Sequence, residues 1–320
     1  MKFLMIGNQD SGKTTYMASA YGRLHSGIAG FHIAADKNTE DWFDGLYKKI
    51  RTGQYPKASE KKASYQFMLY HHNVSVLGFE WIDYNGGIIT TVNANQFYDD
   101  IDNCDGVMLF FDAEALRDGK QSATQLRRIA SLVVNKVQTF EKRLFTIELV
   151  ITKTDKLNDL EELKRVLSIL QPFIDNASKA CNDSRQVVAR IVPTSCTAKQ
   201  LCNVELPLAD MLDSGLCLDV LKAQKDLQES IEKVNSYNAK SGILDWIDSK
   251  LSGVPTYKEM AENELQRARQ HVALMESIAE HRNKLFEYVK EYDIKIPCFE
   301  GTRGMESSSK NSSSKRLIRF

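Results

Sequence analysis

The residues that most clearly predict chemistry stand near the start of the chain, in the stretch GNQDSGKTT at positions 7–15. They fit the pattern G-x-x-x-x-G-K-S/T. The two glycines of this pattern let the backbone turn so that its N–H groups point at phosphate oxygens. The stretch therefore predicts a phosphate-binding loop, which consists of Gly7, Asp10, Ser11, Gly12, Lys13, Thr14 and Thr15.

Two side chains of this loop suit a phosphate group and its counter-ion. Lys13 supplies a cation that would face the terminal phosphates, and the Thr14 hydroxyl is a suitable ligand for Mg²⁺. An ordinary glycine turn in front of a helix is the alternative explanation. The strand-like run MKFLMI before the loop and the helix-like run TTYMASAYGRL after it favour the phosphate loop.

A second polar stretch reads VITKTD at positions 150–155 and closes an apolar run. It fits the pattern N/T-K-x-D, which begins here at Thr152. Asp155 can accept two hydrogen bonds from the ring N–H and the exocyclic amine of guanine, a pair that adenine does not offer. The stem of Lys153 would then lie along the base. A polar strand end with a helix cap is the alternative.

Between these two stretches lies FEWIDYNGG at positions 79–87, in which Asp83 ends a strand-like run. Residues 83–86 fit the pattern D-x-x-G, which ends at Gly86. In this pattern the carboxylate holds Mg²⁺ through water, and the glycine amide contacts the γ-phosphate. The tetrapeptide is common in proteins, so its significance comes from its position between the other two motifs.

The elements that must position these motifs alternate along the chain, with short apolar runs separated by segments of helical period. This order predicts an α/β domain over residues 1–222, with a mostly parallel sheet, helices on both faces, and the motifs after strands one, three and five. Apolar residues at helical spacing predict a helical extension, in the form of a hairpin, over residues 223–295. Residues 296–320 are Ser- and Lys-rich and are expected to be disordered.

The order of the three motifs over about residues 1–200 resembles the Ras-like P-loop GTPases of the translation-factor-related class. Within that class, the stretch GQYPKAS followed by YQFMLY is similar to the bacterial double-GTPase group. The resemblance implies that the chain binds GTP and GDP with Mg²⁺ and hydrolyses GTP slowly. It also implies a molecular switch, in which GTP orders two loops and hydrolysis releases them.

Several residue roles follow only from this resemblance. Ser59 takes the place of the switch I threonine that closes over Mg²⁺, with Thr52, Ser64 and a merely solvated loop as alternatives. Gly87 stands where many members carry the glutamine that orients water, which implies slow hydrolysis unless another group helps. The expected catalytic residues are Lys13, Ser59 and Gly86, and the expected metal ligands are Thr14, Ser59 and Asp83.

The resemblance also completes the base-binding set. The stretch PTSCTAK resembles the S-A-K loop that supports the guanine oxygen through a backbone amide, with Ser195 and Cys196 in its first two places. Cysteine replaces the family's alanine here, but the amide does not depend on that side chain. The expected base-side residues are thus Thr152, Lys153, Asp155, Ser195 and Cys196.

Composition limits the partners. The 42 basic and 42 acidic side chains cancel, so no global field would attract nucleic acid or an anionic membrane. No stretch approaches the roughly 18 apolar residues of a spanning helix, and the six cysteines show no CxxC pair, which favours reduced thiols and a cytoplasmic protein.

Two kinds of function fit these observations. The first is a slow GTPase switch that acts on a protein effector, or on a second copy of itself, through its C-terminal helices. The second is a scaffold whose bound nucleotide stabilises an assembly and is hardly hydrolysed. An ATPase is a weaker explanation because it leaves Asp155 without a role.

Overall fold

The computed structural model describes residues 1–56, 62–84, 94–120, 131–137, 139–140, 144–183, 187–242, 249 and 255–292. Its main feature is a sheet of seven strands, which are β1 (Lys2–Gly7), β2 (Phe31–Ala34), β3 (Ala63–His71), β4 (Val74–Asp83), β5 (Gly106–Asp112), β6 (Phe145–Thr152) and β7 (Val187–Pro193). A two-stranded ribbon follows, made of β8 (Ser195–Cys196) and β9 (Leu201–Cys202). The helices are α1 (Lys13–His25), α2 (Lys37–Arg51), α3 (Ala94–Asp102), α4 (Ala113–Arg117), α5 (Leu160–Asp183), α6 (Leu206–Lys240) and α7 (Tyr257–Glu291).

The strands of the large sheet lie in the order β2-β3-β4-β1-β5-β6-β7. From β4 to β7 all neighbours are parallel, whereas β2, β3 and β4 pair in antiparallel fashion. β5 and β6 are buried along their whole length, as expected for strands covered on both faces. The predicted α/β fold with a mostly parallel sheet is confirmed. The parallel strands β1, β4, β5 and β6 all end at one edge, where such folds bind ligands.

One strand was not apparent from the sequence pattern. β2 is four residues long and runs antiparallel to β3, with Phe31 opposite His71. It leads into α2, whose first turn is capped by the Asp36 carboxylate. Because of this additional strand, the D-x-x-G motif follows the fourth strand and the T-K-x-D motif follows the sixth. The predicted positions after strands three and five were wrong, since a four-residue strand is too short to show a period.

Helices cover both faces of the strands that end at this edge. Successive side chains of β5 point to opposite faces, so Phe110 packs edge-on against Tyr16 of α1, and Phe111 packs edge-on against Phe173 of α5. The ring centroids of these pairs are 5.1 and 5.4 Å apart. These contacts fix α1, which begins at the phosphate loop, against the centre of the sheet.

The chain divides into two compact units, each described here by itself. The first contains residues 1–214 and the described residues 285–292, and the second contains residues 215–284. The predicted C-terminal helical region is confirmed by α6 and α7, each 35 residues long. The predicted boundary after residue 222 falls within the continuous helix α6 and stays a prediction. The predicted tail, residues 296–320, lies outside the described residues.

Two further observations concern the described part of the chain. None of its helices combines the length and the apolar character that crossing a membrane requires. Its five cysteines form no disulfide with one another. The expected cytoplasmic location stays a prediction.

Candidate nucleotide-binding site

The phosphate loop joins the end of β1 to the start of α1. Gly12 has a φ of 86°, in the left-handed region that favours glycine, and Asp10 has a φ of 60°. Gly7 lies so close to β5 that a Cβ atom would stand 2.9 Å from the Phe110 carbonyl oxygen. Glycine is thus required at position 12 for its backbone conformation and at position 7 because a side chain would not fit beside β5. Both bring the loop around the N-terminus of α1, whose first N–H groups have no partner within the helix.

The side chain of Lys13 is folded into this loop. Its Nζ donates to the carbonyl oxygens of Gly7 and Asn8, at 3.0 and 3.1 Å. Burial lowers the pKa of Lys13, while the carboxylates of Asp83 and Asp10 act in the opposite direction. The ammonium group is therefore held in a largely dry position, where an interaction with phosphate oxygens is strong.

Thr14 and Asp83 come together although they are 69 residues apart in sequence. The Thr14 hydroxyl donates to Asp83 Oδ2 at 3.3 Å, and Asp83 Oδ1 is buried with no hydrogen-bond partner in the described part of the chain. Burial raises the pKa of Asp83, with Lys13 and Thr14 acting to lower it. A buried carboxylate oxygen without a partner, beside a threonine hydroxyl, fits Mg²⁺.

The protein alone supplies few ligands at this position. Among the described residues, no group of three or more His, Cys, Asp or Glu side chains could hold a metal ion. Mg²⁺ usually keeps several waters and is bound through one or two protein groups together with substrate phosphates. The site therefore fits a metal that arrives with a nucleotide.

Thr152 connects β6 to the predicted phosphate loop. Its buried hydroxyl lies 2.7 Å from the Ser11 carbonyl oxygen and 3.2 Å from the Phe111 carbonyl oxygen. Ser11 belongs to the phosphate loop and Phe111 belongs to β5. The first residue of the T-K-x-D motif thus links β6 to the phosphate loop and to β5.

Lys153 follows in a left-handed conformation, with a φ of 56°. Its Nζ forms an ion pair with Asp112 Oδ2 at 2.5 Å. Asp112 ends β5, and its other carboxylate oxygen accepts a hydrogen bond from the Ala115 N–H at 3.0 Å, which caps α4. The sequence pattern did not single out Asp112, although its place at the end of the apolar run GVMLFFD was visible.

Asp155 and Ser195 meet across two loops. The Ser195 hydroxyl lies 3.0 Å from Asp155 Oδ1 and 3.0 Å from the Gln200 carbonyl oxygen, so it can donate to either acceptor. Burial raises the pKa of the Cys196 thiol to about 12. The thiol is therefore neutral at physiological pH and adds no charge to the base side of the site.

These elements enclose one cavity of about 430 Å³, within the range of small-molecule sites. Residues of the sequence-based set that line it are Asp10, Ser11, Gly12, Lys13, Thr14, Thr15, Thr152, Lys153, Asp155 and Cys196. Asp83 and Ser195 each bond to one of these lining residues. Six lining residues were not in that set: Gln9, Tyr55, Pro56, Glu114, Lys156 and Thr197. Tyr55 and Pro56 belong to the stretch GQYPKAS, which was the available signal.

The structure describes only some of the residues that were considered for the switch loops. Ser59, Gly86 and Gly87 lie outside the described residues. Of the alternatives, Thr52 directly follows α2 and donates its hydroxyl to the Lys49 carbonyl oxygen at 2.8 Å, and Ser64 on β3 donates to Glu80 at 2.5 Å. Both hydroxyls are thus bonded to groups outside the cavity lining. The assignment of Ser59 as the switch I residue stays a prediction.

Residues 5–79 match the family model described as Double-GTPase 2. The match begins within β1, includes the phosphate loop and reaches into β4. Together with the strand order and the motif positions, it decides the fold. The fold is that of the Ras-like P-loop GTPases. The resemblance to the P-loop GTPases predicted from the sequence is confirmed, and residues 5–79 are similar to the double-GTPase group.

Solved structures similar to this GTPase-like chain include a bacterial selenocysteine-specific elongation factor, at 19% identity and a TM-score of 0.38. The alignment covers 68% of this chain and 28% of the elongation factor. Era from Aquifex aeolicus aligns at 15% identity and a TM-score of 0.36, over 66% of this chain and 55% of Era. A probable GTP-binding protein, EngB, aligns at 14% identity and a TM-score of 0.35, over 66% of this chain and 96% of EngB. A comparison with curated proteins found no match.

Proposed function

We propose that this chain binds guanine nucleotides with Mg²⁺ and hydrolyses GTP slowly. The observation that supports the proposal most directly is that Lys13 and Asp155 line the same cavity. A buried lysine on a phosphate loop suits the phosphate chain, and a carboxylate at the T-K-x-D position can accept both N–H groups of the guanine edge. A guanosine di- or triphosphate satisfies both ends of the cavity at once.

The roles of the metal-side residues follow from their positions. Thr14 would bind Mg²⁺ directly and Asp83 would hold it through water, and the bound ion would neutralise charge on the β- and γ-phosphates. Lys13 would exchange its present bonds with the Gly7 and Asn8 carbonyls for bonds with phosphate oxygens.

The switch part of the proposal depends on residues outside the described ranges. Ser59 and Gly86 are proposed to become ordered around Mg²⁺ and the γ-phosphate and to be released after hydrolysis. Because Gly87 has no side chain to hold water, we expect turnover below about 0.01 per second, as in unassisted GTPases. The scaffold function would apply if the nucleotide is bound and not hydrolysed.

The helical region is proposed to carry the face for a protein effector or a second copy of the chain. The described residues of 215–284 include four large apolar side chains that are 41–51% exposed: Leu221, Ile231, Leu265 and Leu274. Deleting residues 223–320 would be a poor test, because it also removes Leu285 and Val289, which are buried in the unit with the nucleotide site. Replacing Leu221 and Leu274 with serine should instead abolish self-association, measured by sedimentation, and leave GDP binding unchanged.

The main test is a calorimetric titration with GTP, GDP and ATP in the presence of Mg²⁺, followed by single-turnover hydrolysis of the tightest binder. GTP and GDP should bind, and Lys13→Ala should abolish binding because it removes the cation that faces the phosphates. Lys37→Ala is the matched control, since Lys37 is an exposed lysine at the start of α2, paired with Asp41. Equal affinity for ATP, or full affinity in Lys13→Ala, would contradict the proposal.

A further inference from the structure

Asp112 is a buried carboxylate beside the base-reading motif, yet it is not among the residues that line the cavity in the described part of the chain. It is the partner of Thr152 in the register of β5 and β6. Its Oδ1 caps α4 at the Ala115 N–H, and its Oδ2 pairs with Lys153 Nζ at 2.5 Å. The pairing partner, Lys153, does line the cavity.

Lys153 needs such a partner because of the charges around it. Its side chain is about one-third exposed, and its backbone has the left-handed φ of 56°. The carboxylates that line the same cavity include Asp155, two residues further on, and Glu114 on α4. An ammonium group on a four-carbon stem could turn to either of them, and at the partly dry wall of a cavity such attraction is stronger than in water.

A bond between Lys153 and Asp155 would interfere with base recognition. Both oxygens of Asp155 are needed to accept the two N–H groups of the guanine edge, and a lysine donor would compete for them. In the structure Asp155 Oδ1 has the uncharged Ser195 hydroxyl as its neighbour at 3.0 Å. The Lys153 ammonium group is therefore held by Asp112, and the Asp155 carboxylate is held by Ser195.

We propose that Asp112 is a positioning residue for guanine recognition: it holds the Lys153 ammonium group away from Asp155 and keeps the Lys153 stem extended along the base. The inference rests on the proposed function, because it concerns how the same site selects guanine. Asp112 acts through Lys153 and does not touch the nucleotide.

The test is the preference of the full chain for GDP over inosine diphosphate (IDP), which lacks the exocyclic amine that Asp155 reads. Asp112→Asn keeps an acceptor for the Ala115 N–H, since asparagine is as good a helix cap as aspartate, but it loses the charge that holds Lys153. We expect this variant to lose about tenfold in GDP affinity, with a much smaller loss for IDP. A merely structural role would weaken both nucleotides in proportion.

Asp36→Asn is the matched control, because Asp36 caps α2 in the same way and does not line the cavity. It should leave both affinities unchanged. A double variant distinguishes the two roles of Asp112, pairing with Lys153 and capping α4. In Lys153→Met there is no ammonium group to misplace, so adding Asp112→Asn should not change the ratio of GDP to IDP affinity further.

The outcomes separate this inference from the proposed function. If the wild-type chain binds neither nucleotide, the proposed function is wrong. If the wild type prefers GDP and Asp112→Asn keeps that preference, only the role of Asp112 is refuted. The role of Asp112 is also refuted if Asp112→Asn changes the ratio of GDP to IDP affinity as much in Lys153→Met as in the wild type, since the effect would then not depend on Lys153.

Discussion

The hydroxyl of Thr152 donates to the carbonyl oxygen of Ser11 at 2.7 Å, which ties β6 and its T-K-x-D motif to the predicted phosphate loop. The two residues are 141 positions apart in sequence. Because both partners belong to the protein, the bond fixes the distance between the two halves of the cavity. Such preorganisation reduces the entropy that binding would otherwise cost.

The first prediction concerns this bond. Thr152→Val keeps the shape of the side chain but removes the donor to the carbonyl oxygens of Ser11 and Phe111. We expect the free energy of unfolding to fall by about 1–3 kcal/mol, the usual cost of a buried polar group that loses its partner. We also expect weaker GDP binding. Urea denaturation and calorimetry measure the two effects.

Thr146→Val provides the control for that prediction. Thr146 is also buried on β6, and its hydroxyl bonds to the Ser214 hydroxyl at 2.8 Å, but it does not line the cavity. Its replacement should reduce stability to a similar degree and leave GDP affinity unchanged. If both variants bind GDP equally well, the bond from Thr152 to Ser11 has no part in organising the site.

The second prediction concerns the choice of base. Asp155→Asn replaces one acceptor oxygen with a donor, so guanine should bind more weakly and xanthine, which presents an exocyclic carbonyl oxygen in place of the amine, should bind better. Competition between GDP and xanthosine diphosphate measures the change. Asp159→Asn is the control, because Asp159 accepts the Glu162 N–H at 2.8 Å on the surface after the motif. Full guanine affinity in Asp155→Asn would show that another group reads the base.

The third prediction concerns pH and Asp83. Burial raises the pKa of this carboxyl above its ordinary value of 3.8, and only the ionised form can hold Mg²⁺. GDP affinity in Mg²⁺ should therefore decrease as the pH falls toward the raised pKa. Asp83→Asn should bind weakly at every pH and show no such decrease. A decrease of the same size in EDTA would show that Mg²⁺ is not involved.

The same shift fixes the sign of an effect on stability. Because the pKa is higher in the folded protein than in the unfolded chain, the stabilising contribution of Asp83 is complete below the unfolded pKa and is lost as pH rises through the folded pKa. The ligand-free Asp83→Asn protein should therefore be at least as stable as the wild type at pH 8. Thermal unfolding without Mg²⁺ and nucleotide measures this.

The fourth prediction compares two glycines. In Gly7→Ala the new Cβ would stand 2.9 Å from the Phe110 carbonyl oxygen, so β1 and β5 must separate locally. We expect a loss of about 1–3 kcal/mol in the free energy of unfolding, as for other overpacked sites. Gly45 lies within α2, where a Cβ would meet no atom within 4 Å. Gly45→Ala should stabilise by about 0.5–1 kcal/mol, because alanine favours the helix. Urea denaturation of the two variants measures both changes in the free energy of unfolding.

The sequence by itself determined the kind of site. The residues from Gly7 to Thr15 predicted a phosphate loop because the conformational freedom of glycine and the donor groups of lysine and threonine are local properties. The apolar runs that became β1, β5 and β6 predicted a buried parallel sheet for a similar reason. Asp155 is predicted to bind guanine because two neighbouring acceptors on one side chain match one base edge.

Only the tertiary structure decided which distant residues meet. The contacts of Thr14 with Asp83, of Thr152 with Ser11 and of Asp112 with Lys153 join residues 41–141 positions apart, and no local pattern records such pairings. The short strand β2 was missed because four residues carry no measurable period. The route of the chain through the sheet order β2-β3-β4-β1-β5-β6-β7 brings these strand ends to one edge, and this route depends on the packing of the whole core.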